Sequence, residues 1–302
     1  MYECLHCEFH LTLKIKFYTN EFMNSIDLYN LNALSCSINT TKRYSTSFSL
    51  GIKLLAPEIR EAVYSIYGFV RFADEIVDTL HNHDKAKLLK RFSKDTWLAI
   101  DEGVSTNPIL HSFQIVVNKY QIDHELIEAF FTSMSMDLNH TVYNNNNFKR
   151  YVYGSAEVVG LMCLRVFYKD DPEGYESLKY PARKLGEAFQ KVNFLRDVQA
   201  DLKERGRTYF PNVDLLNFTK TEKELIEKEI EEDFRAAYEG IVRLKKEARL
   251  GVYVAYIYYL KLFRKIKKKQ PAAIMQNRIR VNNVVKLGLL FQGMVKHEFD
   301  QL

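Results

Sequence analysis

From about residue 40 to residue 295, the sequence is a series of long segments with the apolar period of an α-helix, separated by short polar breaks. Only 12 Gly and 6 Pro occur among 302 residues, and 47% of the residues are hydrophobic. Such a chain can form long helices and bury a large core. The sequence shows no internal repeat and no linker that would divide it. We therefore predict one all-α domain.

The clearest helix begins at Pro57, because proline is favoured at the first helical position. It continues to about residue 79, and its apolar stripe consists of Ile59, Val63, Ile66, Val70, Ala73 and Val77. The same period predicts further helices over residues 84–101, 108–119, 123–140, 148–168, 173–204, 220–248, 250–268 and 271–295.

Residues 1–22 differ from everything that follows them. Within this segment, residues 11–18 alternate between apolar and polar side chains as a β-strand does, whereas the remainder has a helical period. Met23 offers an alternative start of the chain. We therefore predict that residues 1–22 form an N-terminal extension outside the fold and that residues 23–302 form a single domain.

The cysteines indicate a reducing compartment. The four cysteines, Cys4, Cys7, Cys36 and Cys163, do not form a disulfide framework, so the cytoplasm is the expected location. Cys4 and Cys7 resemble half of a zinc site, but no second Cys/His pair follows at the spacing of a zinc finger. The sequence contains no apolar run of about 18 residues and no signal-peptide core, so we expect a soluble or peripheral protein.

The positive charge of the chain is concentrated near its C-terminal end. The net charge of +5 is too small to indicate nucleic-acid binding, and no nucleic-acid motif occurs. Residues 241–290, however, contain 13 Lys or Arg and one acidic residue, Glu247. A basic face of this kind attracts anionic lipid or a phosphorylated substrate, although a merely solvated helix face explains it equally well.

The first group of residues with a chemical meaning lies on the helix that begins at Pro57. Tyr67, Arg71, Asp74 and Asp78 follow one another at i, i+4, i+7 and i+11, so they share one face. Two carboxylates about 6 Å apart repel each other by roughly 1–3 kcal/mol near a protein surface. A purely structural helix gains nothing from this repulsion, whereas hard divalent cations prefer such oxygen ligands.

A second stripe repeats the pattern on the predicted helix 173–204. Gln190, Asn193, Asp197 and Asp201 step by three, four and four residues, and Arg196 is adjacent to the acidic pair. Mg²⁺ takes one or two carboxylates and completes its shell with water and substrate phosphate. Each pair alone is common on solvated helix faces, but two pairs with nearby arginines predict a magnesium–diphosphate site.

These residues belong to segments that resemble the squalene/phytoene synthase family, most closely its bacterial phytoene synthases. The resemblance extends over roughly residues 40–290. Its most specific segments are NFLRDVQAD at 193–201 and RGRTYFP at 205–211, and further similar segments lie at 45–48, 71–78 and 151–160. Glu157 departs from the family pattern, which has a small residue at this position. Tyr259, Arg278 and Lys286 resemble the C-terminal diphosphate-side groups.

The resemblance implies an isoprenoid-synthase helical bundle around a central cavity. It also implies the head-to-head condensation of two geranylgeranyl diphosphates to phytoene, with release of diphosphate, in carotenoid biosynthesis. Mg²⁺ is the implied cofactor, with Mn²⁺ as an alternative, and NADPH is not expected. The implied partners are the prenyl diphosphate substrate and, because the product is an insoluble hydrocarbon, lipid at the inner face of the membrane.

The two stripes and the resemblance together nominate the site residues. The catalytic candidates are Asp74, Asp78, Asp197, Asp201, Arg196, Tyr67 and Tyr151. The substrate-binding candidates are Ser47, Phe48, Arg71, Gln190, Asn193, Arg207, Tyr209 and Tyr259. The metal-ligand candidates are Asp74, Asp78, Asn193, Asp197 and Asp201.

Three alternatives remain open from the sequence. One is synthesis of squalene or another C30 hydrocarbon from farnesyl diphosphate. Another is a non-enzymatic assembly factor with the same fold, although the intact acidic pairs and Arg196 argue against it. A third is a polyanion-binding protein that uses residues 241–290.

Overall fold

The computed structural model describes residues 24–139, 143–203, 206–211, 213–214, 217–276 and 278–298. Within these residues the chain is helical and contains no β-strand, which confirms the all-α prediction. The helices are α1 (Ser25–Tyr44), α2 (Thr46–Lys53), α3 (Pro57–Asp78), α4 (Lys85–Glu102), α5 (Pro108–Tyr120), α6 (His124–Asn139), α7 (Asn145–Val152), a π-helical turn (Tyr153–Glu157), α8 (Val158–Phe167), α9 (Pro172–Lys203), α10 (Lys220–Ile241), α11 (Lys246–Lys267), α12 (Pro271–Ile274) and α13 (Asn283–Glu298). The predicted extension 1–22, including Cys4 and Cys7, lies outside the described residues.

Local signals in the sequence set many helix starts. Pro57 and Pro108 occupy the first turns of α3 and α5, where the missing N–H of proline costs nothing. Helix α10 begins with a capping box in which the Thr219 hydroxyl accepts from the Glu222 N–H and the Glu222 carboxylate accepts from the Thr219 N–H. These starts depend only on neighbouring residues, which is why the sequence predicts them.

Several predicted helix boundaries are wrong where tertiary contacts override the helical period. The predicted helix 220–248 stops at Ile241, because the N–H groups of Arg243 and Leu244 turn back to the carbonyls of Gly240 and Ile241 in a tight turn that buries Leu244. The predicted helix 271–295 is split by residues 278–282, which carry no helix.

The predicted helix 148–168 is interrupted by the π-helical turn, and the helical period does not predict the first long helix, α1. Helix α1 is rich in Ser, Thr and Asn, which are poor helix formers, so its period is weak in the sequence. Its buried residues Ser37 and Thr41 are nevertheless satisfied, since Ser37 shares a hydrogen bond of 2.7 Å with Ser112 and the Thr41 hydroxyl donates to the Ser37 carbonyl.

The core consists of two large apolar clusters. The first joins α3 to α4, α5, α6 and α8, and at its centre the fully buried ring of Phe69 stacks on Phe113 with 3.8 Å between ring centroids. The second joins α9 to α10 and α11. Helices α2, α3, α8, α9, α10 and α11 contribute the walls of a cavity inside the bundle.

Helices α2 and α11 approach so closely that only glycine fits at their crossing. A Cβ atom on Gly251 would lie 2.6 Å from the carbonyl oxygen of Gly51, and one on Gly51 would lie 3.0 Å from the carbonyl oxygen of Gly251. This backbone contact brings α2, which carries Phe48, onto the cavity wall formed by α11. None of the helices in the described parts of the chain combines the length and apolar character needed to cross a membrane.

The crossing of α2 and α11 yields a stability prediction. Gly251→Ala should lower the free energy of unfolding by about 1–3 kcal/mol, because the new methyl group collides with a backbone oxygen. Gly288→Ala in α13 is the matched control, since a Cβ there meets nothing within 4 Å. It should raise the free energy of unfolding by about 0.5–1 kcal/mol through helix propensity. Denaturant unfolding of both variants measures the two values, and equal effects would contradict the steric explanation.

Candidate active site

The cavity has a volume of about 440 Å³ and changes character along its length. Helix α9 lines it from Leu178 to Arg196, a rise of about 27 Å along the helix axis. We call the part near Arg196 the polar end; its other polar side chains are Arg71, Asp74, Gln190, Asn193 and Arg278. We call the part near Leu178 the apolar end; it is also lined by Leu55, Val63, Cys163, Leu164, Phe167, Ile241, Leu244 and Val252.

Helix α3 delivers most of the first predicted stripe to this cavity. Tyr67, Arg71 and Asp74 all line it, as their shared helical face predicts. Asp78 is the last residue of α3 and does not line the cavity. Its carboxylate instead accepts a hydrogen bond of 2.8 Å from Nη1 of Arg207. The structure therefore places the two acids of this pair at the cavity wall and directly behind it.

The carboxyl of Asp74, at the polar end, resists ionisation. Burial, together with repulsion from the carboxylate of Asp78, raises the pKa of Asp74 to about 8. Arg71, one turn earlier, pairs with Glu75 and lies over the ring of Tyr44 at 4.3 Å. The Nε atom of Arg71 is buried without a hydrogen-bond partner. The guanidinium of Arg71 and the carboxyl of Asp74 can therefore each bind a further polar group in the cavity.

Helix α9 brings the second stripe to the same end. Gln190, Asn193 and Arg196 line the cavity, and the Tyr259 hydroxyl donates to Asn193 Oδ1 at 3.3 Å. Asp197 lies between two guanidinium groups, at 2.5 Å from Nη2 of Arg196 and 2.7 Å from Nε of Arg278.

Asp201 is buried one turn further along α9, and its carbonyl accepts from the Arg207 N–H at 2.8 Å. Members of both stripes, which lie more than a hundred residues apart in sequence, therefore line one cavity, whereas the acids Asp197 and Asp201 do not line it.

Four aromatic rings line the cavity between its two ends: Phe48, Tyr67, Phe189 and Tyr259. Phe189 stacks on Tyr259 at 3.9 Å between centroids, and Phe48 lies 5.6 Å from Tyr259 and 5.8 Å from Tyr67. Burial raises the pKa of Tyr67 to about 12, so its phenol stays neutral. Neutral aromatic faces attract cations in a site shielded from water.

Asp137, near the end of α6, is a polar centre that the sequence did not nominate. Its buried carboxylate accepts hydrogen bonds from the hydroxyls of Tyr143 at 3.2 Å, Tyr151 at 2.8 Å and Tyr209 at 3.2 Å. Burial raises the pKa of Asp137 to about 6, while the charge of Arg207 opposes that rise. A signal existed, because Asp137 follows Met134 in the buried register of α6, where a charged residue needs partners.

Arg207 joins this centre to the first acidic stripe. Its buried guanidinium bonds Asp78, donates to the Asp137 backbone carbonyl at 3.0 Å, and lies 3.6 Å from the Asp137 carboxylate. It also donates to the Tyr209 hydroxyl at 3.3 Å. We call Asp78, Asp137, Arg207 and the three tyrosines the arginine network.

Some nominated residues therefore lie elsewhere than in the cavity wall. Tyr151, Arg207 and Tyr209 belong to the arginine network and do not line the cavity. Ser47 does not line it either, whereas Ser45 does and caps α2 by accepting from the Phe48 N–H at 3.1 Å. The catalytic and substrate-binding roles of these residues remain predictions.

The π-helical turn explains how the chain accommodates Glu157. Ser155 and Ala156 of this turn line the cavity, while Glu157 is buried and accepts from Nε of Arg183 on α9 at 2.5 Å. Wide turns of this kind re-aim side chains and are frequent at functional sites. Gly186 permits the approach of α9, because a Cβ there would lie 2.6 Å from the Ala156 carbonyl oxygen.

The donor atoms at the polar end fit a magnesium ion that is shared with phosphate. No three His, Cys, Asp or Glu side chains in the described residues converge on one point. Mg²⁺ does not need such a cage, because one or two carboxylates, water and phosphate complete its shell. Asp74 and Asp78 offer one pair and Asp197 and Asp201 the other, although only Asp74 lines the cavity. A bound cation would favour ionisation of Asp74, whose pKa is raised by burial and by the carboxylate of Asp78.

The sequence of the chain matches known proteins over most of its length. Residues 41–284 match the squalene/phytoene synthase family profile. A phytoene synthase of Arthrospira platensis is 28% identical over 256 residues, which cover 76% of this chain and 82% of that protein. Phytoene synthase 2 of Oryza sativa subsp. japonica is 31% identical over 217 residues, and the match covers 69% of this chain but only 54% of the rice protein.

Solved structures share the fold. A dehydrosqualene synthase superposes with a TM-score of 0.76 at 22% identity, covering 89% of this chain and 98% of that one. The squalene synthase HpnC of Alicyclobacillus acidocaldarius superposes with a TM-score of 0.69 at 17% identity, covering 80% of this chain and 95% of that one. These likenesses confirm the predicted isoprenoid-synthase helical fold.

The arginine network yields a second prediction. Asp137→Asn should lower the free energy of unfolding by about 1–3 kcal/mol, because it removes the charge opposite Arg207 and leaves buried hydroxyls short of an acceptor. Asp123→Asn is the matched control, since Asp123 also pairs with an arginine, Arg165, but is half exposed; its effect should stay within about 0.5 kcal/mol. Thermal unfolding of both variants measures the loss of stability, and equal losses in the two would contradict a stabilising role of the arginine network.

Proposed function

Because this chain belongs to the squalene/phytoene synthase family, whose members are prenyltransferases, we propose that it condenses two geranylgeranyl diphosphates head to head into phytoene. The match over residues 41–284 supports the family, and the names of the Arthrospira and rice relatives support phytoene as the product. Because the members of this family are prenyltransferases, the alternative of a non-enzymatic assembly factor is set aside.

One observation carries the proposal: a single cavity joins a polar end, with three arginines and Asp74, to a long apolar end. A prenyl diphosphate has the same division between a charged head and a hydrocarbon tail. Arg71, Arg196 and Arg278 supply guanidinium groups where the head would lie. The walls near Leu178 and Leu244 supply the apolar surface for the tail.

In the proposed reaction, the C1–O bond of one substrate breaks and its electron pair leaves with diphosphate. The double bond of the second substrate attacks the resulting allylic cation, which gives a cyclopropylcarbinyl diphosphate and releases a proton. Loss of the second diphosphate, rearrangement and loss of another proton then yield phytoene. The products are one hydrocarbon, two diphosphates and two protons, and no reductant is consumed.

Residues at different positions in the cavity have different roles in the proposed reaction. Arg71, Arg196 and Arg278 donate to the departing diphosphate and stabilise its developing charge. The rings of Tyr67 and Tyr259 face the cation. The apolar walls exclude water, which would otherwise quench the cation. Gln190 and Phe48 contact the substrate from the walls formed by α9 and α2.

Magnesium ions would be held by Asp74, Asp78, Asn193, Asp197 and Asp201. When bound, Mg²⁺ supplies positive charge that favours the departure of diphosphate. The arginine network acts from behind the wall: Arg207, oriented by Asp137, Tyr151 and Tyr209, fixes the carboxylate of Asp78. We also propose that Ser47, next to Phe48 on α2, contacts the substrate.

We place the enzyme in the cytoplasm, in peripheral contact with membrane lipid at the inner face of the membrane. Phytoene carries no charge and no hydrogen-bonding group, so it partitions from water into lipid. The excess of basic residues in 241–290 supports attraction to anionic headgroups.

A second candidate is a squalene-type C30 hydrocarbon made from farnesyl diphosphate. It is favoured by the similarity of the fold to a dehydrosqualene synthase over 89% of this chain. Both candidates use the polar end in the same way and differ in how far the tail reaches towards the apolar end.

The metal assignment predicts a separation of activity from stability. Asp74→Ala or Asp197→Ala should lower turnover by about a hundredfold or more, since charge stabilisation in the transition state is removed. Asp74→Ala should not lower the melting temperature, because it relieves burial of a carboxylate beside Asp78. Asp101→Ala, at an exposed acid near the end of α4, is the control and should keep full activity. Near-normal turnover in a folded Asp74→Ala or Asp197→Ala protein would exclude that residue as a ligand.

The product assignment predicts that the purified protein with Mg²⁺ or Mn²⁺ converts geranylgeranyl diphosphate to phytoene without NADPH. Incubation with either farnesyl or geranylgeranyl diphosphate, with and without NADPH, followed by mass analysis of the hydrocarbons, measures this. A C30 product, or strict dependence on NADPH, would replace phytoene by the second candidate and leave the metal site intact.

A further inference from the structure

Helix α13 is apolar on two faces, and the residues that the structure describes cover only one of them. Its inner face packs on α11: Val285 and Leu289 contact the core, and a Cβ on Gly293 would lie 2.8 Å from Val254. Its outer face is a continuous stripe of exposed side chains: Val284, Leu287, Phe291, Met294 and Val295. We call this stripe the outer face of α13.

The exposure of this face is unusual in size and regularity. Val284 is 78% exposed, Phe291 70% and Leu287 59%, whereas most of the aromatic rings that the structure describes are buried. The residues recur at i, i+3, i+7, i+10 and i+11, the spacing of one helix face. A helix that is apolar all round is normally enclosed by protein or lipid. The stripe therefore needs a cover that the folded chain does not provide within the described residues.

The charge around α13 identifies the cover. Residues 261–298 contain ten Lys or Arg and a single acid, Glu298, and of these bases Lys267 and Arg278 pair with acids on α10 and α9. The C-terminal end of α11, with exposed Lys268 and Lys269, lies beside the start of α13, because Lys265 Nζ donates to the Arg280 carbonyl at 2.6 Å. Two copies that met through this face would bring like charges together, whereas an anionic bilayer offers opposite charge and an apolar interior.

We propose that the outer face of α13 inserts into the headgroup region of an anionic membrane, with the basic end of α11 against the lipid phosphates. Helices that lie in the interface combine an apolar stripe with lysines and arginines in this manner. The inference rests on the proposed function only for its purpose, the transfer of an uncharged product into lipid. It names the element that makes the contact, which the basic composition of 241–290 does not.

Vesicle flotation of the full chain tests the proposal without substrate. The protein should float with vesicles of phosphatidylcholine and phosphatidylglycerol, and not with phosphatidylcholine alone. The double variant Leu287→Glu/Phe291→Glu should lose binding by roughly tenfold or more, because it removes the inserted apolar side chains. Lys268→Gln/Lys269→Gln should weaken binding by about tenfold or more and reduce its salt dependence.

Two control variants show whether binding belongs to the outer face of α13. Leu225→Glu replaces a leucine of α10 that is 61% exposed, and it should bind vesicles as the wild type does. Asp74→Ala, inactive under the proposed function, should also bind normally, so failure of the catalytic proposal would leave this one standing. Light scattering measures the oligomeric state, and so tests the alternative that a second copy of the chain covers the outer face of α13.

Equal binding to both vesicle types, or normal binding by the α13 double variant, would overturn the proposal. A wild-type dimer that the α13 double variant dissociates, with vesicle binding unchanged, would assign the outer face to self-association instead.

Discussion

The buried guanidinium of Arg207 is the contact on which the polar end of this protein depends. Asp78 ends α3, and a carboxylate at this position meets the negative end of the helix dipole with no basic residue in the last turn to offset it. Asp137 adds a second buried carboxylate nearby. Arg207 bonds Asp78 and the backbone of Asp137, and this positive charge allows acids from two helices to converge behind the cavity wall. Asp74 remains outside this compensation: burial and the carboxylate of Asp78 raise its pKa, and positive charge placed nearby would lower it.

The polar and apolar side chains of the cavity are separated along the lengths of its helices and are not gathered around one point. Helices α3 and α9 both carry apolar side chains at one end of the cavity; at the other end α3 carries Arg71 and Asp74, and α9 carries Gln190, Asn193 and Arg196. A substrate with a charged head and a hydrocarbon tail is thereby oriented before any bond breaks. Close backbone approaches at Gly51 and Gly251, and at Gly186, bring the walls together, and the π-helical turn directs Ser155 inwards while Glu157 pairs outwards with Arg183.

The basic residues of 241–290 have several different roles. In the sequence they form a block of like charge, but in the folded chain they lie in different surroundings. Arg278 reaches into the polar end and pairs with Asp197, Lys245 pairs with Asp171, and Lys267 pairs with Glu231. Lys268 and Lys269 stay exposed after the end of α11, and the outer face of α13 has no cover in the described residues. Charge that looks uniform along the chain is therefore divided between the site, internal pairing and the surface.

The sequence by itself determined the helical class, the starts of helices such as α3 and α10, and the two acidic stripes, because helical period and caps depend on residues only a few positions apart. It also identified the family, through short segments around Asp74 and Asp197. It could not place Asp137, the break after Ile241, or the exclusion of Tyr151 and Ser47 from the cavity wall. Those were decided by the tertiary structure, since each depends on which distant helix supplies a partner: three tyrosine hydroxyls and Arg207 for Asp137, and the burial of Leu244 for the break. Spacing along a chain shows which side chains share a face, and only packing decides what that face meets.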